Sequence, residues 1–203
     1  MEFKLFLYVI IVLSAVFHEY AHALTAYKLG DTTAKDAGRL TLNPLVHLDL
    51  VGTVVVPLLL LFASGIFIGW AKPVPYNPAN LRDKRYGSLK VGAAGPGANL
   101  LIALILGLVL RFLPQIFPGA EVLFTATLGV IVYINIFLAL FNLLPFPPLD
   151  GSKIFADAFP NVFQKLVNLG FWGFFLALLA AFWILPAIAN IIFSLITGRG
   201  FAF

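Results

Sequence analysis

The stretch Phe17-His18-Glu19-Tyr20-Ala21-His22 sets two imidazoles and a carboxylate within five residues. On a helix, residues four apart share a face, so His18 and His22 can grip one metal ion. Glu19 stands beside them, placed to take a proton from a metal-bound water. The chemistry on offer is hydrolysis by an activated water. The pattern is short, and two histidines near a helix end can also be plain structure. The surroundings argue against that, because the trio lies inside an apolar segment, where each polar group must find a partner away from water.

Catalytic zinc takes three protein ligands and keeps one position for water. The chain has three histidines, and the third is His47. Among the carboxylates Asp150 stands out, because it follows the Pro-rich break Leu144-Pro145-Phe146-Pro147-Pro148-Leu149, where the backbone is free of helix geometry. Asp150 before Gly151 is equally an ordinary turn pair, and the residues alone leave both readings open. His47 and Asp49 either support the site or belong to a solvated interfacial loop, the simpler reading. Cysteine is absent, which excludes disulfides, thiol catalysis and a cysteine-based zinc site.

The elements that must carry these residues are membrane helices. Of 203 residues 61% are hydrophobic and 11% charged, with a mean hydropathy of +1.00. Long apolar runs recur along the whole length, so the expectation is an all-α polytopic membrane protein with about five to six membrane segments. The runs are 3–27, 51–70, 95–113, 122–144 and 166–185, with a shorter apolar stretch at 187–197 beyond Pro186. One membrane-embedded domain over 1–203 is expected, with a core at 3–155 and C-terminal helices at 166–197. The first apolar run carries the motif itself, so it is not read as a cleavable signal peptide. The net charge of +4 belongs to loops and speaks for orientation in the bilayer rather than for nucleic-acid binding.

Between the spans, Gly30-Asp31 reads as the stop of the first helix. Residues 38–42 carry a weak strand signal. Lys72-Pro73-Val74-Pro75-Tyr76-Asn77-Pro78 forbids a helix and favours extended chain. Residues 152–165 read as a polar connection. In Gly95-Pro96-Gly97-Ala98-Asn99 the glycines suit close helix approach and the asparagine suits a cap or a cross-link between helices.

A simple count of crossings puts the C-terminal ends of the 3–27 and 122–144 runs on opposite membrane faces, out of reach of one metal. If 51–80 dips in and returns, only Lys4, Arg111 and Arg199 of the 13 lysines and arginines fall on the far side. The positive-inside rule favours that arrangement. The expectation is a re-entrant unit at 51–80, partly extended, and a metal site facing the cytoplasm.

Three motifs in order, His18-Glu19-x-x-His22, Gly95-Pro96-Gly97-Ala98-Asn99 and Asn142-Leu-Leu-Pro-x-x-Pro-Leu-Asp150-Gly151, together resemble the site-2 protease family of intramembrane zinc metalloproteases. The resemblance covers residues from about 15 to 155. It implies one Zn2+ per chain bound by His18, His22 and Asp150, Glu19 as general base, and a role for Asn142 in steadying the substrate or the reacting carbonyl. It also implies a membrane-embedded peptide or protein substrate, a multi-pass place in the cell membrane, and a minimal, core-only member. An extended segment at 38–42 or 72–77 would suit pairing with an unwound substrate backbone. Two other readings use the same residues. A transporter or channel would employ buried His, Glu and Asp as an ion or proton path; a non-cleaving pseudoprotease would keep the metal alone, against which the intact Glu19 argues.

Overall fold

The computed structural model describes residues 2–56, 72–119 and 121–201. Among them there are helices, turns and extended chain, and no strand. Among the described residues three helices are long and apolar enough to cross a membrane, at Phe3–Lys28, Gly87–Ile116 and Val122–Asn142, and a shorter apolar helical stretch runs over Ala181–Thr197. The chain divides into two compact units, Met1–Gly87 and Ser88–Phe203.

The first unit is built on α1 (Glu2–Lys28). Against it pack two single-turn helices, α2 (Thr33–Asp36) and α3 (Pro44–His47). Helix α1 ends as its sequence suggests. Gly30 takes a positive φ of 103°, its N–H bonds Tyr27 O, and the N–H of Asp31 reaches back to Ala26 O at 3.0 Å. These two bonds are the Schellman closure, which only a residue without a Cβ adopts easily.

Residues 38–42 depart from the strand expectation. They form a turn and bends, with Gly38 at φ 68°. Beyond them Asn43 caps α3, its side chain accepting from Leu45 N at 3.1 Å. Asp49 caps a π-helical segment, Leu50–Val55, by accepting from Gly52 N at 2.6 Å. Half of the expected re-entrant unit at 51–80, residues 57–71, lies outside the described residues. The chain resumes at Lys72 in extended form to Asn77, then makes one 3-10 turn, Pro78–Asn80.

The second unit holds α4 (Gly87–Ile116), α5 (Val122–Asn142), α6 (Asp150–Ala158), α7 (Pro160–Asn168) and α8 (Gly170–Thr197). Ala103, Leu110, Leu128, Val132, Ile136, Ala189 and Phe193 form its core. Asn99 and Asn135 are fully buried there and bond to each other at 2.8 Å, the cross-link that the sequence suggested. Close approach is absent at Gly97 and present more than one turn earlier, at Gly92. A Cβ at Gly97 would meet nothing within 4 Å, whereas one at Gly92 would meet Asp150 O and Lys153 Cβ at 3.1 Å.

Two further expectations are corrected. Residues 152–165 are not a connection but most of two amphipathic helices, α6 and α7. Pro186 does not break the last span, since α8 runs through it; an apolar helix tolerates proline where neighbours satisfy the freed carbonyl.

Candidate metal centre

Helix α1 presents the first half of the site. His18 and His22 are each 6% exposed. One turn apart, their rings lie edge to face with centroids 4.6 Å apart, so the spacing read from the sequence does gather two imidazoles on one helix face. Glu19 is half-buried on the same turn. Its Oε2 accepts the backbone N–H of Val74 at 2.8 Å. That partner is 55 residues away in sequence. It comes from the extended proline-rich segment.

The same segment is tied down beyond Val74. Asp31 is fully buried. Its Oδ2 accepts from Asn77 N at 2.7 Å, and its Oδ1 accepts from Asn80 Nδ2 at 3.0 Å and from the Thr33 N–H and hydroxyl. Burial pushes this carboxyl up. The Thr33 hydroxyl, the Asn77 N–H, the Asn80 amide and the Thr33 N–H together outweigh burial and hold it below its ordinary value. At the other end Lys72 N bonds His47 O at 2.9 Å, and farther on Arg82 N bonds Leu29 O at 2.8 Å.

His47 is buried, with Nε2 2.8 Å from Thr41 O. The carbonyl must accept, so Nε2 carries the proton, and Nδ1 has no partner among the described residues. His47 and Asp49 thus organise the loop, the one through its ring and its main-chain carbonyl and the other as a cap.

The second unit carries Asp150 and Asn142. Asp150 opens α6 and is 6% exposed. Lys153 Nζ donates to its Oδ1 at 2.8 Å, one turn on. Gly151 explains why glycine follows: a Cβ there would run into the backbone carbonyl oxygens of Leu143 and Leu144. The Asp-Gly pair is therefore a packed helix start, not a loose turn. Asn142, the last residue of α5, spends its Nδ2 on Leu138 O at 2.9 Å, within its own helix. Sequence reasoning missed the Val74–Glu19 bond and the bonds made by the Asp31 side chain, for which no local pattern existed.

The profile of peptidase family M50 matches residues 118–186. YwhC of Bacillus subtilis, named a zinc metalloprotease by inference, is 40% identical over 176 residues, 83% of this chain and 76% of its own. Rip2 of Mycolicibacterium smegmatis, named in the same way, is 32% identical over 187 residues, 91% of this chain and 68% of its own. A protein of Methanocaldococcus jannaschii named a zinc metalloprotease is 32% identical over 83 residues, 40% of this chain and 23% of its own. No solved structure matches the chain. With two relatives above 30% identity along most of both partners, and the H-E-x-x-H helix in place, this chain belongs to peptidase family M50, the site-2 protease family of zinc metalloproteases.

Proposed function

We propose that this protein is an intramembrane zinc endopeptidase that hydrolyses peptide bonds of membrane-spanning or membrane-anchored substrates. The observation that carries the reading is the paired His18 and His22 rings on one buried face of an apolar helix, with Glu19 on the same turn. The donor chemistry fits zinc. Two imidazole nitrogens and the carboxylate of Asp150, all on buried residues, make the N/O set of a catalytic centre that leaves one position for water. One ion per chain follows from one such set. Bound zinc supplies a Lewis acid and a water of lowered pKa.

The remaining work falls to the chain. Glu19 takes the proton from the attacking water and returns it to the leaving amine nitrogen. Its Oε2 accepts the Val74 N–H, which restrains the carboxylate and leaves Oε1 to take the proton. Lys153 offsets part of the Asp150 charge and orients that carboxylate. Asn142 steadies the reacting carbonyl only by releasing Leu138 O, which makes it an auxiliary group. The substrate must be unwound to expose its carbonyls, since a helix hides them in its own bonds. In the segment at 72–77 the N–H groups of Lys72, Val74 and Asn77 are engaged and the prolines have none, so strand-like pairing with a substrate would rest chiefly on its carbonyls.

The same reading places the whole chain as one working domain, multi-pass in the cell membrane. Its positive loops and the zinc site face the cytoplasm, with 51–80 re-entrant among five to six segments. The test is cleavage of a transmembrane peptide by protein purified in detergent. Wild type should cleave, a zinc chelator should stop it and zinc restore it, and Glu19→Gln should stop cleavage while keeping zinc. Cleavage by Glu19→Gln at the wild-type rate would refute the assignment of the base.

A further inference from the structure

The segment between Lys72 and Asn80 is pinned at both ends and touches the proposed base in the middle. Pro73 and Pro75 have no N–H, so Val74 carries the one backbone donor of the three residues, and both neighbouring rings fix their φ. That donor is the one on Glu19 Oε2 at 2.8 Å. Three residues on, Asn77 N is 2.7 Å from Asp31 Oδ2, and Asn80 Nδ2 is 3.0 Å from Asp31 Oδ1. Asn77 also closes the 3-10 turn by accepting from Ala79 N at 3.0 Å. The anchor cannot drift, because Asp31 is the residue whose N–H completes the closure of α1. One helix therefore carries the base and, just past its end, the carboxylate that holds the base's partner.

We infer that Asp31 is a positioning residue for the hydrolytic reaction: through Asn77 and Asn80 it holds the Pro73-Val74-Pro75 strap so that the Val74 N–H orients Glu19. The inference rests on the protease reading above. A hydrogen bond from a rigid backbone donor is a cheap way to keep a carboxylate in one rotamer, and misplacement of a reacting group by about 1 Å costs roughly 100-fold in rate. Asp31 touches neither substrate nor the water. It acts at two removes, through the strap and then through Glu19.

Its two oxygens divide the work, which gives a selective variant. Oδ1 serves Thr33 and Asn80, while Oδ2 serves Asn77 N. In Asp31→Asn the retained oxygen keeps the first set and the new NH2 opposes the Asn77 N–H, so the strap loosens and α2 stays. The experiment has two parts and four readouts: Val74 exchange, zinc content, KM and kcat. Hydrogen exchange on the zinc-free protein follows the Val74 amide, conveniently isolated between two prolines. Steady-state cleavage and zinc content are measured on the zinc-loaded protein. Asp31→Asn should speed exchange at Val74 and keep zinc at the wild-type level. It should leave KM within about twofold and lower kcat about 10- to 100-fold. Asp36→Asn, an exposed carboxylate bonded only locally to Thr32 Oγ1, should match wild type in all four.

Should Asp31→Asn fail to fold, the exposed Asn80→Ala removes one anchor bond and should show the same split, smaller in size. Wild-type kcat in the variant overturns the inference. So does a loss of kcat with Val74 exchange unchanged. A rise in kcat also overturns it, since the strap would then be a cover over the base. Failure of the protease reading looks different: the wild type itself does not cleave, and the inference falls with it.

Discussion

Replacing Gly151 with alanine should weaken zinc binding although it removes no ligand. The methyl group would collide with two main-chain oxygens, those of Leu143 and Leu144. Neither is the end of a flexible side chain, so relief requires moving the end of α5 or the start of α6. Overpacking of this kind costs about 1–3 kcal/mol, and two rigid contacts argue for the upper end. Alanine recovers about 0.5–1 kcal/mol of helix propensity over glycine, leaving about 2 kcal/mol of net loss. For a chain of this size that lowers Tm by roughly 4–8 °C. Asp150 is the adjacent residue, so any shift at 151 moves its carboxylate. Changes in groups that orient a metal ligand cost on the order of 10- to 100-fold in metal affinity. The assay is competitive zinc titration against a chromophoric chelator, with thermal unfolding in the same detergent. Gly97→Ala is the control, since nothing lies within 4 Å of a Cβ there. If Gly151→Ala binds zinc and melts like wild type, the close packing at the start of α6 does not position Asp150.

Further outcomes follow from other parts of the chain. Asp31 is held below its ordinary pKa in the folded state, so its contribution is present above that value and is lost as pH falls through it toward the lower folded value. Asp31→Ala should therefore unfold more easily than wild type at neutral pH, by about 1–3 kcal/mol for donors left unpaired. The gap should close in acid, as read by chemical unfolding at several pH values. The Asn99–Asn135 pair should show a coupling of about 0.6–1.7 kcal/mol in a double-mutant cycle, with the double leucine variant less destabilised than the singles predict. Asn142→Ala should keep zinc and lose activity about tenfold, less than an oxyanion-hole donor would cost, because its amide is engaged by Leu138 O in the resting state.

Much of this was legible in the sequence because it is local. The four-residue spacing of His18 and His22 needs only a helix to become a pair of facing rings. Gly30 announces the end of α1 because it takes a backbone conformation that other residues avoid. Three prolines in 73–78 announce extended chain because they remove donors and fix φ. The missed features are those whose partners are far apart along the chain. Nothing near Glu19 says that a residue 55 positions on will bond it, and nothing near Asp31 says that it will gather Asn77 and Asn80. The strand expected at 38–42 failed because Gly38 turns the chain with a positive φ and no strand among the described residues pairs with it. The helices at α6 and α7 were hidden by polar residues that read as loop but fall on one face of each helix. Pro186 misled because its cost is a soluble-helix cost, reduced in an apolar helix with packed neighbours.

On the proposed reading one zinc ion is held by His18, His22 and Asp150 and serves Glu19. The most direct test is the metal content of purified wild type, His22→Ala, Asp150→Ala and Glu19→Gln, measured by elemental analysis at equal protein concentration. About one zinc per chain is expected in wild type and Glu19→Gln, and little in the other two. Full zinc in Asp150→Ala, or none in wild type after incubation with the metal, would contradict it.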